Sequence, residues 1–203
     1  MRTAIRDISD TLIALLRDSL GGLVPPSGIV MLSPSEVSKL GANPPALALF
    51  LYAITPTAEL RNAPEVERRP GQFEPPALPL DLYYLLTAYT SAQQAPTTDP
   101  ASQTHLLLGA AIQVFNDNAM LTGSVLKGDL PRDEELRLTF QPITVEDLTR
   151  LWGVFPGAAL QPTVSYLVSP AKIRSQRTKA SQRVVSQQTD TAHIVPNREE
   201  TIR

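Results

Sequence analysis

The side chains able to do chemistry are few in this sequence, and their spacing excludes more than it allows. His105 and His193 are the only histidines and there is no cysteine. No usual zinc pattern can be built from that set. Asp133, Glu134 and Glu135 form the densest run of carboxylates. They lack the spacing of a calcium loop and read as a solvated turn. A serine or threonine nucleophile needs a base beside it. His105 falls on the polar side of a predicted helix and His193 falls in a polar tail, and no G-x-S-x-G turn occurs. Neither G-x-x-x-x-G-K-[ST] nor G-x-G-x-x-G is present, so no phosphate cradle is expected. Gly153 and Gly157 have G-x-x-x-G spacing, but Pro156 between them makes that stretch a loop. The sequence therefore predicts no enzyme, no metal and no cofactor.

What remains is chemistry of association. Lys172, Arg174, Arg177, Lys179 and Arg183 form a basic run with no acid among them. From residue 171 to the end there are seven Lys/Arg against three Asp/Glu, a balance of +4. That leaves residues 1–170 with 11 basic and 17 acidic residues of the chain's 18 and 20, a balance of −6. An acidic body repels phosphate, and the basic run has no interleaved aromatics for base stacking, so nucleic acid is not the expected partner. An acidic body with a basic arm points instead to protein neighbours.

The elements that would carry these residues follow from periodicity. Residues 2–20 form an amphipathic helix, with Ile5, Ile8, Leu12, Leu15, Leu16 and Leu20 in one stripe and Arg6, Asp10 and Arg17 away from it. Ile29–Leu32 is a short strand, and Ser33-Pro34-Ser35-Glu36 is a capping box opening a short helix that stops at Gly41. Ala46–Thr55 and Leu80–Ser91 are apolar on both alternating faces, as strands in the middle of a covered sheet are. Ala63–Pro79, with five prolines, reads as a long loop and a natural contact between subunits. The helix from Pro100 to about Leu121 buries Leu108, Ala111, Ile112, Phe115 and Ala119, with Gly109 allowing close packing on the sheet. Leu136–Gln141 is a strand with one wet face. Thr144 caps a helix carrying Leu148, Leu151 and the only tryptophan, Trp152, which is expected to lock helix to sheet. Thr163–Ser169 is the last strand.

These elements predict an α/β (α+β) body: a mixed, largely antiparallel sheet of about four to five strands, covered by the two long helices mainly on one side. Residues 1–175 make that domain. Residues 176–203 make a polar, basic arm whose apolar residues come only in pairs, Val184-Val185 and Ile194-Val195. The longest strictly apolar run, Ala46–Ile54, is far shorter than the roughly 20 residues of a spanning helix, so no direct membrane insertion is expected. Charges at Arg2, Arg6, Asp7 and Asp10 interrupt the N-terminus, which does not read as a signal peptide, and a soluble protein made in the cytoplasm is expected.

Four segments, in order, resemble one family: ALALFLYAITPTAELRN, LPLDLYYLLTAYT, HLLLGAAIQVFND, and EDLTRLW followed by PTVSYLVSPAKI. They are similar to the cap, or tail-terminator, proteins of contractile injection systems, which are phage-tail-like particles. The resemblance covers about residues 1–175. It implies a ring of copies of this chain, six in number, seated on the last tube and sheath layers and ending their polymerisation. The implied partners are the chain itself, a tube protein and a sheath protein, in a particle assembled in the cytoplasm and then released or attached to a membrane. An adaptor linking the particle to a membrane or a further component is the alternative. Candidate interaction residues are Arg61, Asn62, Arg68 and Arg69 around the proline-rich stretch, and Lys172, Arg174, Arg177, Lys179, Arg183, Val184 and Val185 along the arm.

Overall fold

A computed structural model describes residues 3–58, 66–69, 72–90, 99–175, 177 and 179–180. Its elements in chain order are α1 (Ala4–Ser19), β1 (Ile29–Val30), α2 (Pro34–Ser38), β2 (Leu47–Pro56), β3 (Val66–Arg69), β4 (Gln72–Glu74), β5 (Leu78–Ala88), α3 (Pro100–Asp117), β6 (Met120–Leu121), β7 (Leu136–Gln141), α4 (Val145–Trp152), β8 (Thr163–Ile173) and β9 (Lys179–Ala180).

A six-stranded sheet in the order β1-β2-β5-β8-β7-β6 carries the fold. Only β1 and β2 run parallel; the other pairs are antiparallel. The sheet is mixed and largely antiparallel, but has six strands where four to five were expected. The expected strand Ile29–Leu32 is present as β1, shortened to two residues; the additional strand, β6, also has two residues, too short to leave a period in the sequence. β2 and β5 lie inside the sheet, as their doubly apolar pattern requires.

Alternation sorts residues onto two faces. Leu47, Leu49 and Leu51 of β2, Tyr84 and Leu86 of β5, and Tyr166 and Val168 of β8 join the main core. α1 and α3 cover this face. Ile8, Leu12 and Leu16 of α1 are fully buried, and Ser9 and Tyr84 share a hydrogen bond of 2.8 Å. Burial pushes the Tyr84 phenol up to about 12, despite the Ser9 hydrogen bond. From α3, Phe115 meets Tyr166 edge-on at 4.9 Å.

The opposite face holds Ala48, Phe50, Tyr83 and Ser165. Two short helices cover it. α2 brings Val37 to Ala48 and Tyr89. α2 opens with the expected capping box, Ser33 Oγ accepting from Glu36 N–H and the Glu36 carboxylate accepting from Ser33 N–H. α4 is capped by Thr144, whose hydroxyl oxygen accepts from Asp147 N–H at 3.1 Å. Trp152 does tie α4 to the sheet, but through an intermediary: its ring meets Phe155 at 6.0 Å, and Phe155 meets Phe50 at 5.7 Å.

Several expectations are corrected. Within Ala63–Pro79 lie two strands: β3 and β4 pair antiparallel, and β9 adds to β4 to make a second, three-stranded sheet. Part of the pairing partner is about a hundred residues away, so no local window could show it. The buried side of α3 is Thr104, Leu107, Ala111 and Phe115; Leu108 and Ile112 are only half-buried, and Ala119 lies beyond the helix and is exposed. Gly109 is exposed, and a Cβ there would meet nothing within 4 Å, so it does not serve close packing on the sheet. Leu106, Leu107 and Leu108 follow one another in α3, so its period does not reveal which of them faces inward. Arg17 does not lie free: its guanidinium donates to Ile29 O at 2.7 and 3.1 Å, fastening α1 to β1.

Candidate assembly interface

The basic run divides in two where the structure describes it. Lys172 and Arg174 stand two residues apart, at and just beyond the end of β8, where alternation gives them the same side. Both turn to Glu134: Lys172 Nζ lies 3.7 Å from its Oε1 and Arg174 Nη2 lies 3.6 Å from its Oε2. Glu134 is buried, not part of a solvated turn as expected; Asp133 and Glu135 on either side are exposed. Its amide bonds Pro131 O at 3.0 Å in a tight turn before β7, which sets the side chain against β8. A buried carboxylate needs compensating charge. Lys172 and Arg174 supply it, so these two serve the chain's own fold.

Arg177 is exposed, and its amide donates to Ser175 Oγ at 3.1 Å. Arg68 and Arg69 lie on β3 and Lys179 on β9, the two outer strands of the small sheet around β4. The fold thus brings residues from the proline-rich stretch and from the root of the arm into one sheet. Arg61, Asn62, Arg183, Val184 and Val185 lie outside the described residues.

On the α4 face there is an open cavity of about 310 Å³, lined by Tyr52, Tyr83, Gln141, Ile143, Leu151 and Ser165 among others. Tyr52 and Ser165 hydroxyls are 3.0 Å apart and engage each other. Among the described residues, the charged side chain lining it is Asp147, whose carboxylate accepts from the Thr144 hydroxyl at 2.7 Å. Among the described residues, no three of His, Cys, Asp and Glu come together as metal ligands. Also among them, no helix is long and apolar enough to cross a membrane.

Two features escaped the sequence reading. The first is a polar fastening under α1. Asp7 is buried and accepts from the Asp129 amide at 3.1 Å and from Arg6 at 3.0 and 3.2 Å. Thr11 Oγ1 accepts from the Lys127 amide at 2.9 Å. Gly128, at φ 66°, is pressed so close to the Asp7 carboxylate that a side chain there would collide with it. Burial alone would raise the Asp7 pKa. Hydrogen bonds from Thr3, the Asp129 amide and Arg6, with the Arg6 charge, outweigh it and hold the carboxyl below its usual value. The second is exposed apolar surface. Leu106 on α3 is 62% exposed, and Val154 and Leu160 after α4 are 66% and 57% exposed. Its signal in the sequence is the absence of charge: there is no Asp, Glu, Lys or Arg from Ala101 to Asn116, nor from Leu151 to Ala171.

Residues 7–187 match the Pvc16 N-terminal domain family, and the chain belongs to that family. No curated protein matches the chain. Its fold is similar to that of the sheath/tube terminator, in the extended state, of PVC, an extracellular contractile injection system. There the TM-score is 0.67 at 16% identity, covering 94% of this chain and 64% of that one. It is also similar to the tube-terminating cap of the anti-feeding prophage, with TM-score 0.65 at 15% identity, covering 91% of this chain and 60% of that one. The chain spans less than two thirds of the length of either protein.

Proposed function

We propose that this chain is the capping domain of a contractile injection system, a structural protein that sits on the last tube and sheath layers and ends their growth. The observation that carries this reading is membership of the Pvc16 N-terminal domain family over residues 7–187, joined to a fold shared with two terminators of such particles. Copies of the chain form a ring, a hexamer on the particle, with tube and sheath proteins as the other partners. The mechanism is physical: a growing end is covered, its docking edges are occupied, and no further template is offered. No catalysis is involved, and neither nucleic acid nor membrane insertion is needed. The particle assembles in the cytoplasm and is then released or attached.

In this reading residues 1–175 are the body and residues 176–203 an arm that reaches a neighbour. The arm leaves from a fixed root, since Lys179–Ala180 pairs with Gln72–Phe73. Residues 176–203 hold five Lys/Arg against three Asp/Glu, a balance of +2, and residues 1–175 hold 13 against 17, a balance of −4, which favours contact with neighbouring bodies.

The test is co-expression of tube, sheath and this chain, with particle length read by negative-stain microscopy. Particles of uniform length are expected with the chain present, and a broad length distribution without it. Unchanged lengths, with the chain absent from particle ends, would overturn the proposal.

A further inference from the structure

We infer that the outer face of α3 and the segment 153–162 are the two halves of one contact between successive copies of this chain. The inference rests on the ring reading above and names the surfaces that close it.

α3 presents an unusual side to solvent. Ser102, His105, Leu106, Gly109, Gln113 and Asn116 are exposed and carry no carboxylate, ammonium or guanidinium group; the exposed charge on this side is Asp117, at the C-terminal end of the helix. Gly109 sits inside this helix at a cost in stability. Nothing within the described chain needs it there, because a Cβ would enter open space. A glycine next to an exposed leucine lets another surface approach the helix backbone.

The segment after α4 has the same character. Val154 and Leu160 are exposed, Pro156 and Pro162 stiffen the backbone, and Gly157 turns it at φ 74°. Depletion of charge, with apolar groups left outside, marks the centre of a protein–protein contact.

A second copy is the occupant for two reasons. The first is charge. Residues 1–175 carry a balance of −4, so two bodies meet with like net charge. The charge-free patches are where they meet without like-charge opposition. The second is placement. α3 lies on the sheet face of Tyr84 and Tyr166, whereas α4 and its loop lie on the face of Phe50. Different patches on opposite faces make a head-to-tail contact. Each added copy keeps one patch of each kind free, so the contact repeats until a ring closes.

The natural absence of cysteine makes the test clean. The full chain with Leu106→Cys and Leu160→Cys is treated with a bismaleimide, both free at high concentration and on end-capped particles. The expected result is a ladder that passes dimer and stops at the ring number, with no product from either single variant. A product from Leu106→Cys alone would show a symmetric α3–α3 pair and overturn the inference, as would a double variant that stays uncross-linked in both settings. Charge reversal supplies a second reading. Leu106→Asp should keep the melting temperature of the parent, since Leu106 is exposed, and weaken self-association about tenfold or more by sedimentation. Mixing it with Leu160→Lys should restore association, and failure to do so would count against the pairing. A ladder formed by a chain that leaves particle length unchanged would overturn the cap reading and leave this contact standing.

Discussion

α1 and α3 touch each other on one face of the same sheet, yet they meet water differently. α1 exposes Arg6 and Asp18, half-exposes Asp10, and buries an unbroken apolar stripe. α3 buries Leu107, Ala111 and Phe115 but exposes Leu106, Gly109 and Gln113. A helix that is finished against solvent spends charge on its outer side. α3 has a single exposed charge, Asp117 at its C-terminal end, and the contact inferred above would cover the uncharged stretch before it. The pair teaches that hydrophobic residues on a helix report every surface it will meet, including those of other molecules.

The comparison can be broken most violently on the shared face. Phe115→Ala removes the ring that meets Tyr166 and should cost about 3–5 kcal/mol in denaturant unfolding. Leu106→Ala, on the same helix but on its outer side, should change stability by less than about 0.5 kcal/mol. Similar losses for both would mean that the outer side of α3 is packed within the chain.

Next in size is the fastening under α1. Asp7→Ala leaves the Asp129 amide and the Arg6 guanidinium without their acceptor, at about 1–3 kcal/mol. The pH dependence has a definite sign. The Asp7 pKa is lowered by folding, so its stabilisation is complete above the ordinary value of 3.8 and is lost as pH falls through the lower folded value. The parent should therefore lose more stability below that pH than Asp7→Ala does. Parallel acid unfolding curves would contradict this.

A smaller effect is expected at Glu134. Glu134→Ala removes the charge between Lys172 and Arg174, but both cations reach solvent and can be rehydrated, so about 1 kcal/mol is expected. Hydrogen exchange at β8 should rise locally. The smallest change is Gly109→Ala, which should stabilise the isolated chain by up to about 1 kcal/mol. A loss of stability there would show that Gly109 is packed after all.

How much was legible follows from the same contrast. α1, β2, β5 and β7 announced themselves because each has one environment per face, and periodicity reads that directly. Ser33 and Thr144 were readable as caps because capping is local. The inner side of α3 was misjudged because Leu106, Leu107 and Leu108 are chemically equal and only tertiary packing chooses Leu107. β3, β4 and β9 were missed because their pairing joins residues 72–73 to 179–180. Glu134 was taken for a solvated residue because its compensating cations lie nearly forty residues on. Of the interaction residues expected from the basic run, Lys172 and Arg174 are engaged inside the chain, while Arg68, Arg69 and Lys179 share the small sheet.

The central claim, that this chain ends polymerisation, is tested most directly by tube growth in a purified system. Tube protein is allowed to elongate from seeds, and the full chain is added at the concentration of tube ends. Elongation should stop, with density for the chain at tube tips only. Continued growth at the original rate, or binding along the tube wall, would contradict the account.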